Sequence, residues 1–402
     1  MTLASCVIGL TFSVAPMFIG STSVLLISIS ADTGWSRSDL SNVLTVGLLS
    51  MALGAAIAGR LITRFGARPV IVMSTLGFAG ALLGMSAISS VKWGLLCACV
   101  AGLFGMGAAQ AGYLTVLPLW FSRRLGTALA IAMLGSGAGN SLMPIVVEHL
   151  ARHLSWRQTY QTLAGMVLAA ALPGSILLLR TPPRALNMSQ SAPAPGMTMR
   201  QAVRTMNFWL LVSALFLAST VTTAVGVYLV PMLMDRGYQR ARAAELFSLF
   251  GIALLIGRFA SGLLFDYFSA RWVGVCCLAS ACVGVIILQL DTNSALCALA
   301  IAMVAIAHGM EGDLAPYLAQ RHFGSREYGT IYGLLGLVIG LGTVAGSLLM
   351  SAAHRLTGSY NAMLLTSVPV FGLAVLALIR LGPTPDARLH PDYAPTAPGT
   401  RQ

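Results

Sequence analysis

Of the 402 residues, 57% are hydrophobic and only 9% are charged, with a mean hydropathy of +0.82. A soluble domain carries roughly 25% charged residues, so a water-soluble fold is excluded. The net charge of +12 does not point to nucleic acid, because the arginines and the single Lys92 stand alone or in pairs between apolar runs. Bilayer topology accounts for such a pattern, and no nucleic-acid partner is expected.

Apolar windows between Arg, Pro and Asp punctuation are long enough to cross a bilayer, which takes about 20 residues each. In chain order they predict helices at 3–30, 38–59, 69–89, 93–119, 127–150 and 159–179, then at 207–233, 241–264, 271–290, 294–319, 328–352 and 360–380. The first run lacks the basic flank of a signal peptide and reads as a retained span. The stretch 181–206, polar and rich in Pro and Ser, reads as a linker between bundles at 1–180 and 207–381. The proline-bearing tail 382–402 reads as disordered. With both termini in the cytoplasm, internal segments would hold 16 of the 24 basic residues and external ones eight. That bias has the direction expected for the inner (plasma) membrane. The seven cysteines lie in apolar runs without metal-ligand spacing.

The chain nearly repeats itself after 203 residues. Gly34, Gly54, Gly59, Leu61, Phe65 and Arg68 recur as Gly237, Gly257, Gly262, Leu264, Phe268 and Arg271. Ser122, Arg123, Gly126, Thr127 and Gly137 recur at the same offset as Ser325, Arg326, Gly329, Thr330 and Gly340. The predicted fold is therefore an all-α membrane protein of twelve transmembrane helices in two six-helix, pseudo-symmetric halves.

The segment after the second span reads Gly59-Arg60-Leu61-Ile62-Thr63-Arg64-Phe65-Gly66-Ala67-Arg68. Its copy reads Gly262-Leu263-Leu264-Phe265-Asp266-Tyr267-Phe268-Ser269-Ala270-Arg271. Both resemble the G-x-L-x-D-R-x-G-x-R signature of the major facilitator superfamily. The first copy has Thr63 in place of the acid, and the second has Tyr267 in place of Arg. The resemblance implies a conformational gate at Gly59, Arg64, Gly66, Arg68, Gly262, Asp266 and Arg271. Asp32-Thr33-Gly34-Trp35-Ser36, Trp120-Phe121-Ser122-Arg123-Arg124-Leu125-Gly126 and Gly257-Arg258-Phe259 further resemble the monocarboxylate and oxalate/formate transporter branch. That branch often places a lysine in the first or eleventh span, and neither span has one here.

Where the copy fails, charge appears. At the 203-residue offset Arg258 faces Ala55, His308 faces Gly105, Glu311 faces Ala108 and Asp313 faces Gln110. Charges at mid-bilayer cost roughly 2.5–3.5 kcal/mol each on insertion scales and are functional by default. Counting ~1.5 Å per residue from Asp266 and Arg321 puts Arg258 and Asp313 ~12 Å deep and Glu311 ~15 Å deep. All three fall near the middle of a core ~30 Å thick.

Arg258 offers a permanent charge and a planar fork of donors matched to a carboxylate. The resemblance places an arginine at this position. It is expected to anchor the substrate anion, with an ion pair to Asp266 or to a tenth-span acid as the structural alternative. In monocarboxylate transporters an acid often precedes that arginine by one turn; here Leu254 stands there. Glu311 or Asp313 is the candidate replacement and, with His308, the candidate proton-coupling group. The alternative is plain charge neutralisation. Further cavity candidates are Ser21 and Ser23, Gln110 and Tyr113, Tyr228 and Tyr332, each equally readable as a contact between helices. Glu148, His149, Arg152 and His153 read as a solvated outer rim. Gly135, Gly137 and Gly139, and Gly336, Gly340 and Gly342, read as close-packing surfaces, since no Walker lysine follows.

The expectation is a secondary transporter, monomeric in the lipid bilayer, without enzyme activity, cofactor or metal. It would carry a small organic anion, a monocarboxylate, together with protons by alternating access. Anion exchange of the oxalate/formate type and export of hydrophobic or cationic compounds are the alternatives.

Overall fold

A computed structural model describes residues 1–121, 124–179, 196–290 and 294–382. Within them, twelve helices are long and apolar enough to cross a membrane. The first half holds Thr2–Leu26, Asp39–Phe65, Ala67–Ser86, Val91–Trp120, Leu125–His153 and Trp156–Leu178. The second holds Met206–Asp235, Ala241–Tyr267, Ala270–Gln289, Ser294–Phe323, Tyr328–Thr357 and Met363–Arg380. An even number of spans returns the chain to the face where it began. That face is called the terminal face below.

Local chemistry explains where the helices begin and stop. Gly34 and Gly237 follow the first and seventh spans with φ of 71° and 82°, a left-handed backbone that costs glycine little. Ser36 and Asp39 then form a reciprocal capping box at the next helix, as do Ser155 and Gln158. The first span is not one regular helix. It is α-helical over Thr2–Thr11, π-helical over Ala15–Gly20 and α-helical again over Ser21–Thr33. Pro16, which has no N–H to donate, sits at the start of the π segment.

The fourth span, expected as a single helix, is broken at mid-depth. Val91–Gly107 ends at Ala108, Ala109 has φ −132° and ψ −141°, and short turns follow at Gln110–Tyr113 and Leu117–Trp120. Irregular backbone at membrane depth survives only where protein or a wet cavity surrounds it.

The seam between the halves is built by the repeat itself. The second span packs on the eleventh and the fifth on the eighth, with smaller contributions from the tenth on the fifth and the fourth on the eleventh. A methyl on Gly59 would stand 2.1 Å from the Gly329 carbonyl oxygen, and one on Gly262 2.6 Å from that of Gly126. Those two pairs are the same pair, exchanged between halves at the offset of 203. Further in, Gly340 meets Ala52 and Gly137 meets Leu255 in the same exchanged way. Small residues are what allow two helix backbones to approach this closely in lipid, where packing rather than the hydrophobic effect drives association. Adding a side chain at these positions would force the spans apart.

The connection between the bundles falls partly outside the described residues, as do Ser122, Arg123, Arg180, Arg184 and the tail from 383. Its described end is ordered. Met199–Ala202 forms a short helix capped by Thr198, the Met197 amide donates to the Phe323 carbonyl at 2.8 Å, and the Met199 amide donates to Glu327 at 2.7 Å.

Candidate functional site

Arg258 extends from the eighth span toward the tenth. Its Nη2 lies 3.2 Å, and its Cζ 3.5 Å, from where a methyl on Gly312 would stand, so the guanidinium rests over the backbone between Glu311 and Asp313. Met133 of the fifth span closes the same spot, its Cε 3.9 Å from that point. Symmetry identifies the place. In the first half Ala55 meets Gly336; at the exchanged position Arg258 and Met133 occupy the corresponding part of the seam. A small-residue contact has been replaced by a cation.

No ion pair and no side-chain hydrogen bond involves Arg258 among the described residues, and its buried Nε has no acceptor. Asp313 is fully buried, and neither of its oxygens accepts a hydrogen bond. The Ser261 hydroxyl lies nearby but donates to the Arg258 carbonyl at 3.0 Å. Pro316, one turn beyond Gly312, removes the N–H that would otherwise bond the Gly312 carbonyl. Breaking a buried ion pair costs about 3–5 kcal/mol, so unpaired charged groups at this depth mark a place awaiting a partner.

Glu311 points elsewhere. Its Oε2 lies 3.1 Å from Thr222 Oγ1 of the seventh span, and its Oε1 has no partner. Ser219, a turn away on the same span, is close by. His308 lies on the Glu311 face, Nδ1 3.9 Å from Glu311 Oε2, and keeps 30% of its side-chain exposure while Glu311 keeps 5%. The two acids, separated by Gly312, thus serve two different neighbourhoods: Asp313 with Arg258, and Glu311 with the seventh span.

The other sequence candidates divide. Tyr332 is buried, stacked on Tyr328 at 5.8 Å, and lies within electrostatic range of Asp313 and Arg258. Gln110 follows the break in the fourth span and is half-buried. Tyr228 sits near the face opposite the termini, 5.7 Å from the Tyr360 ring. Tyr113 is fully buried, bonds Ser175 of the sixth span at 2.7 Å, and has room for its ring beside Gly9. Ser21 is likewise buried and turned onto its own helix, donating to the Met17 carbonyl at 2.5 Å, and the exposed Ser23 does the same with Ile19 at 2.8 Å. Helical periodicity cannot separate a face that lines a cavity from one that packs on a sister helix. Thr222, Ser219, Ser261 and Met133 were missed, because hydroxyls and methionine in apolar runs are unremarkable until their neighbours are known.

At the terminal face the two copies of the signature segment are asymmetric. Both oxygens of Asp266 cap the fifth span across the seam: Oδ1 accepts from the Gly126 amide at 2.8 Å, and Oδ2 from the Thr127 amide at 2.8 Å and hydroxyl at 2.5 Å. Asp266 is thereby committed to the fifth span, and the ion pair with Arg258 considered from the sequence does not form. Its counterpart Thr63 accepts more weakly from the Thr330 amide at 3.0 Å, with the two hydroxyls also 3.0 Å apart. Arg68 donates to the Ile176 carbonyl at 2.6 Å and Arg271 to that of Leu381, while Arg64 lies over the Phe65 ring. Gly66 turns the chain with φ 85°.

A sequence profile described as the Major Facilitator Superfamily matches residues 3–347 and 243–398. The chain belongs to the major facilitator superfamily. Among curated relatives, monocarboxylate transporter 13 of Bos taurus is 27% identical over 325 residues, covering 80% of this chain and 75% of that protein. The uncharacterized MFS-type transporter YhjX of Escherichia coli is 26% identical over 312 residues, covering 74% and 75%. The fold is similar to that of the transporter FucP in its outward conformation, with TM-score 0.72 at 15% identity, covering 96% of this chain and all of that one. It is also similar to the human organic anion transporter MFSD10, with TM-score 0.74 at 14% identity, covering 94% and 98%. Family and fold are those of multi-pass membrane transporters, which are not enzymes.

Proposed function

We propose that this transporter moves a small monocarboxylate across the inner membrane by alternating access, coupled to protons, with both termini cytoplasmic. The observation that carries the reading is Arg258, an unpaired guanidinium at mid-depth in the seam, where transporters of this architecture bind substrate. A planar fork of donors without an acceptor is complementary to a carboxylate. Relatives named monocarboxylate transporters support the substrate class. Asp313 balances Arg258 between substrates, Tyr332 and Gln110 border the site, and the exchanged glycine pairs with Asp266 close it toward the cytoplasm. The acids of the tenth span carry the coupling proton.

Uptake of labelled carboxylates into proteoliposomes under an imposed pH gradient tests this. Wild-type protein should accumulate one or more monocarboxylates, Arg258→Ala should abolish uptake, and Arg258→Lys should retain a small part of it, since a point charge lacks the fork. Normal transport by both variants would remove Arg258 from the site.

A further inference from the structure

The two acids of the tenth span have different surroundings, and the difference assigns them different work. Three observations bear on Glu311. First, it faces a hydroxyl able to serve both of its protonation states. Thr222 Oγ1 stands 3.0 Å from the Ala218 carbonyl and 3.1 Å from Glu311 Oε2. One hydroxyl carries one hydrogen, so it cannot donate to both. When Glu311 is ionised, Thr222 donates to it. When Glu311 is protonated, the carboxyl donates to Thr222 Oγ1, and the threonine hydrogen turns back to Ala218. The contact between Thr222 and Oε2 is satisfied in both states, and Oε1 is without a partner in either. Second, His308 lies one helical turn from Glu311 on the side away from the closed terminal face, and it keeps 30% of its side-chain surface exposed. Third, Glu311 Oε2 is held 3.1 Å from a hydroxyl of the seventh span, whereas both oxygens of Asp313 lack a hydrogen-bond partner and the Arg258 guanidinium rests over the adjacent Gly312.

Asp313 has none of this apparatus. It is fully buried, and the nearby hydroxyl of Ser261 donates to the Arg258 carbonyl and bonds neither of its oxygens. What faces it is a permanent cation. The groups packed around Glu311 and His308 are Thr222 and Ser219 from the seventh span, Phe250 and Arg258 from the eighth, and Asp313 on their own helix; Tyr332 of the eleventh lies nearer Asp313.

We infer that Glu311 is the proton-loading group, reached from the opposite face through His308, and that Asp313 is the unpaired anion beside Arg258 with which the substrate carboxylate competes. This division rests on the proton-coupled reading above. It separates two roles within one helix turn: His308, Glu311 and Thr222 take and hold the proton, while Asp313 sets how readily Arg258 accepts an anion. Its chemistry balances simply. A proton from the opposite face passes through the His308 imidazole to a Glu311 oxygen and leaves by the same oxygen when the site opens to the terminal face.

Two transport assays separate the roles. Accumulation is driven by a pH gradient, and counterflow exchanges labelled for unlabelled substrate with no gradient. Glu311→Gln should lose gradient-driven accumulation and keep counterflow, and Glu311→Asp should keep both. Asp313→Asn should keep the response to the gradient and lower KM, because Arg258 no longer has a competing anion. His308→Gln should slow accumulation most steeply at high external pH, where protons are scarce, and leave counterflow unchanged. A readout independent of substrate is the infrared band of a protonated carboxyl group, which should vanish in Glu311→Gln and persist in Asp313→Asn. Monodisperse elution of each variant in detergent confirms its folding. If Glu311→Gln still accumulates substrate and Asp313→Asn does not, the assignment is reversed and the inference fails. If wild-type protein exchanges substrate but ignores the gradient, the proton-coupled reading fails and takes the inference with it.

Discussion

Replacing Asp266 by Asn should open the terminal gate. The Asp266 carboxylate accepts three hydrogen bonds from the fifth span, at 2.8, 2.8 and 2.5 Å. Hydrogen bonds to a charged group contribute about 1.5–3 kcal/mol each, and a negative charge at a helix N-terminus adds about 0.3–1 kcal/mol. Asparagine keeps one acceptor, worth about 1 kcal/mol, and turns an N–H toward donors. The position is only partly buried, so water recovers some of the loss. A net weakening of the closed state by about 3 kcal/mol remains, and the open state, in which the carboxylate is hydrated, loses nothing. At ~1.4 kcal/mol per factor of ten, the closed-to-open ratio should fall by about two orders of magnitude. Pulsed electron-spin distance measurements between labels at the exposed positions Arg64→Cys and Arg326→Cys, with the native cysteines replaced, read this directly. The short-distance population should shrink in Asp266→Asn. A distribution identical to that of wild type would refute the view that this carboxylate holds the seam.

The opposite perturbation is available at the repeated position. Thr63→Asp would present two carboxylate oxygens to the Thr330 amide and hydroxyl, strengthening closure by about 1–2 kcal/mol. It should slow net uptake, and in combination with Asp266→Asn it should restore the wild-type distance distribution; no recovery would show that the two gates are not equivalent. A third prediction concerns acid stability. Asp32, in the last turn of the helix Ser21–Thr33 and beyond the membrane-spanning stretch that ends at Leu26, is held below the usual carboxylate range by hydrogen bonds from Arg157 first and Trp156 second. Its contribution is therefore present at neutral pH and is lost as pH falls through the depressed value. Thermal unfolding midpoints of wild type and Asp32→Asn should differ at pH ~7 and converge in acid. A gap that stays constant with pH would show that its charge is not what stabilises the folded state.

Much of this protein was legible before any coordinate. Periodic apolar windows named twelve spans, because lipid leaves the backbone no alternative to helices of that length. The 203-residue offset went further. Since each half is one unit, the seam had to be one contact used twice, and Gly59 on Gly329 with Gly262 on Gly126 is that contact. Failed repeats pointed at Arg258, Glu311 and Asp313, because ionisable groups at mid-depth cost too much to persist without use. The tertiary structure alone decided the partners. Sequence spacing says which helical face a residue occupies but not which helix lies opposite, since that depends on how whole helices are placed. Hence Asp266 reaches Thr127 and not Arg258, Tyr113 is bound to Ser175 inside its own bundle, and the fourth span breaks at Ala109. For the same reason, two acids two residues apart turn out to face different spans, one a cation and the other a hydroxyl.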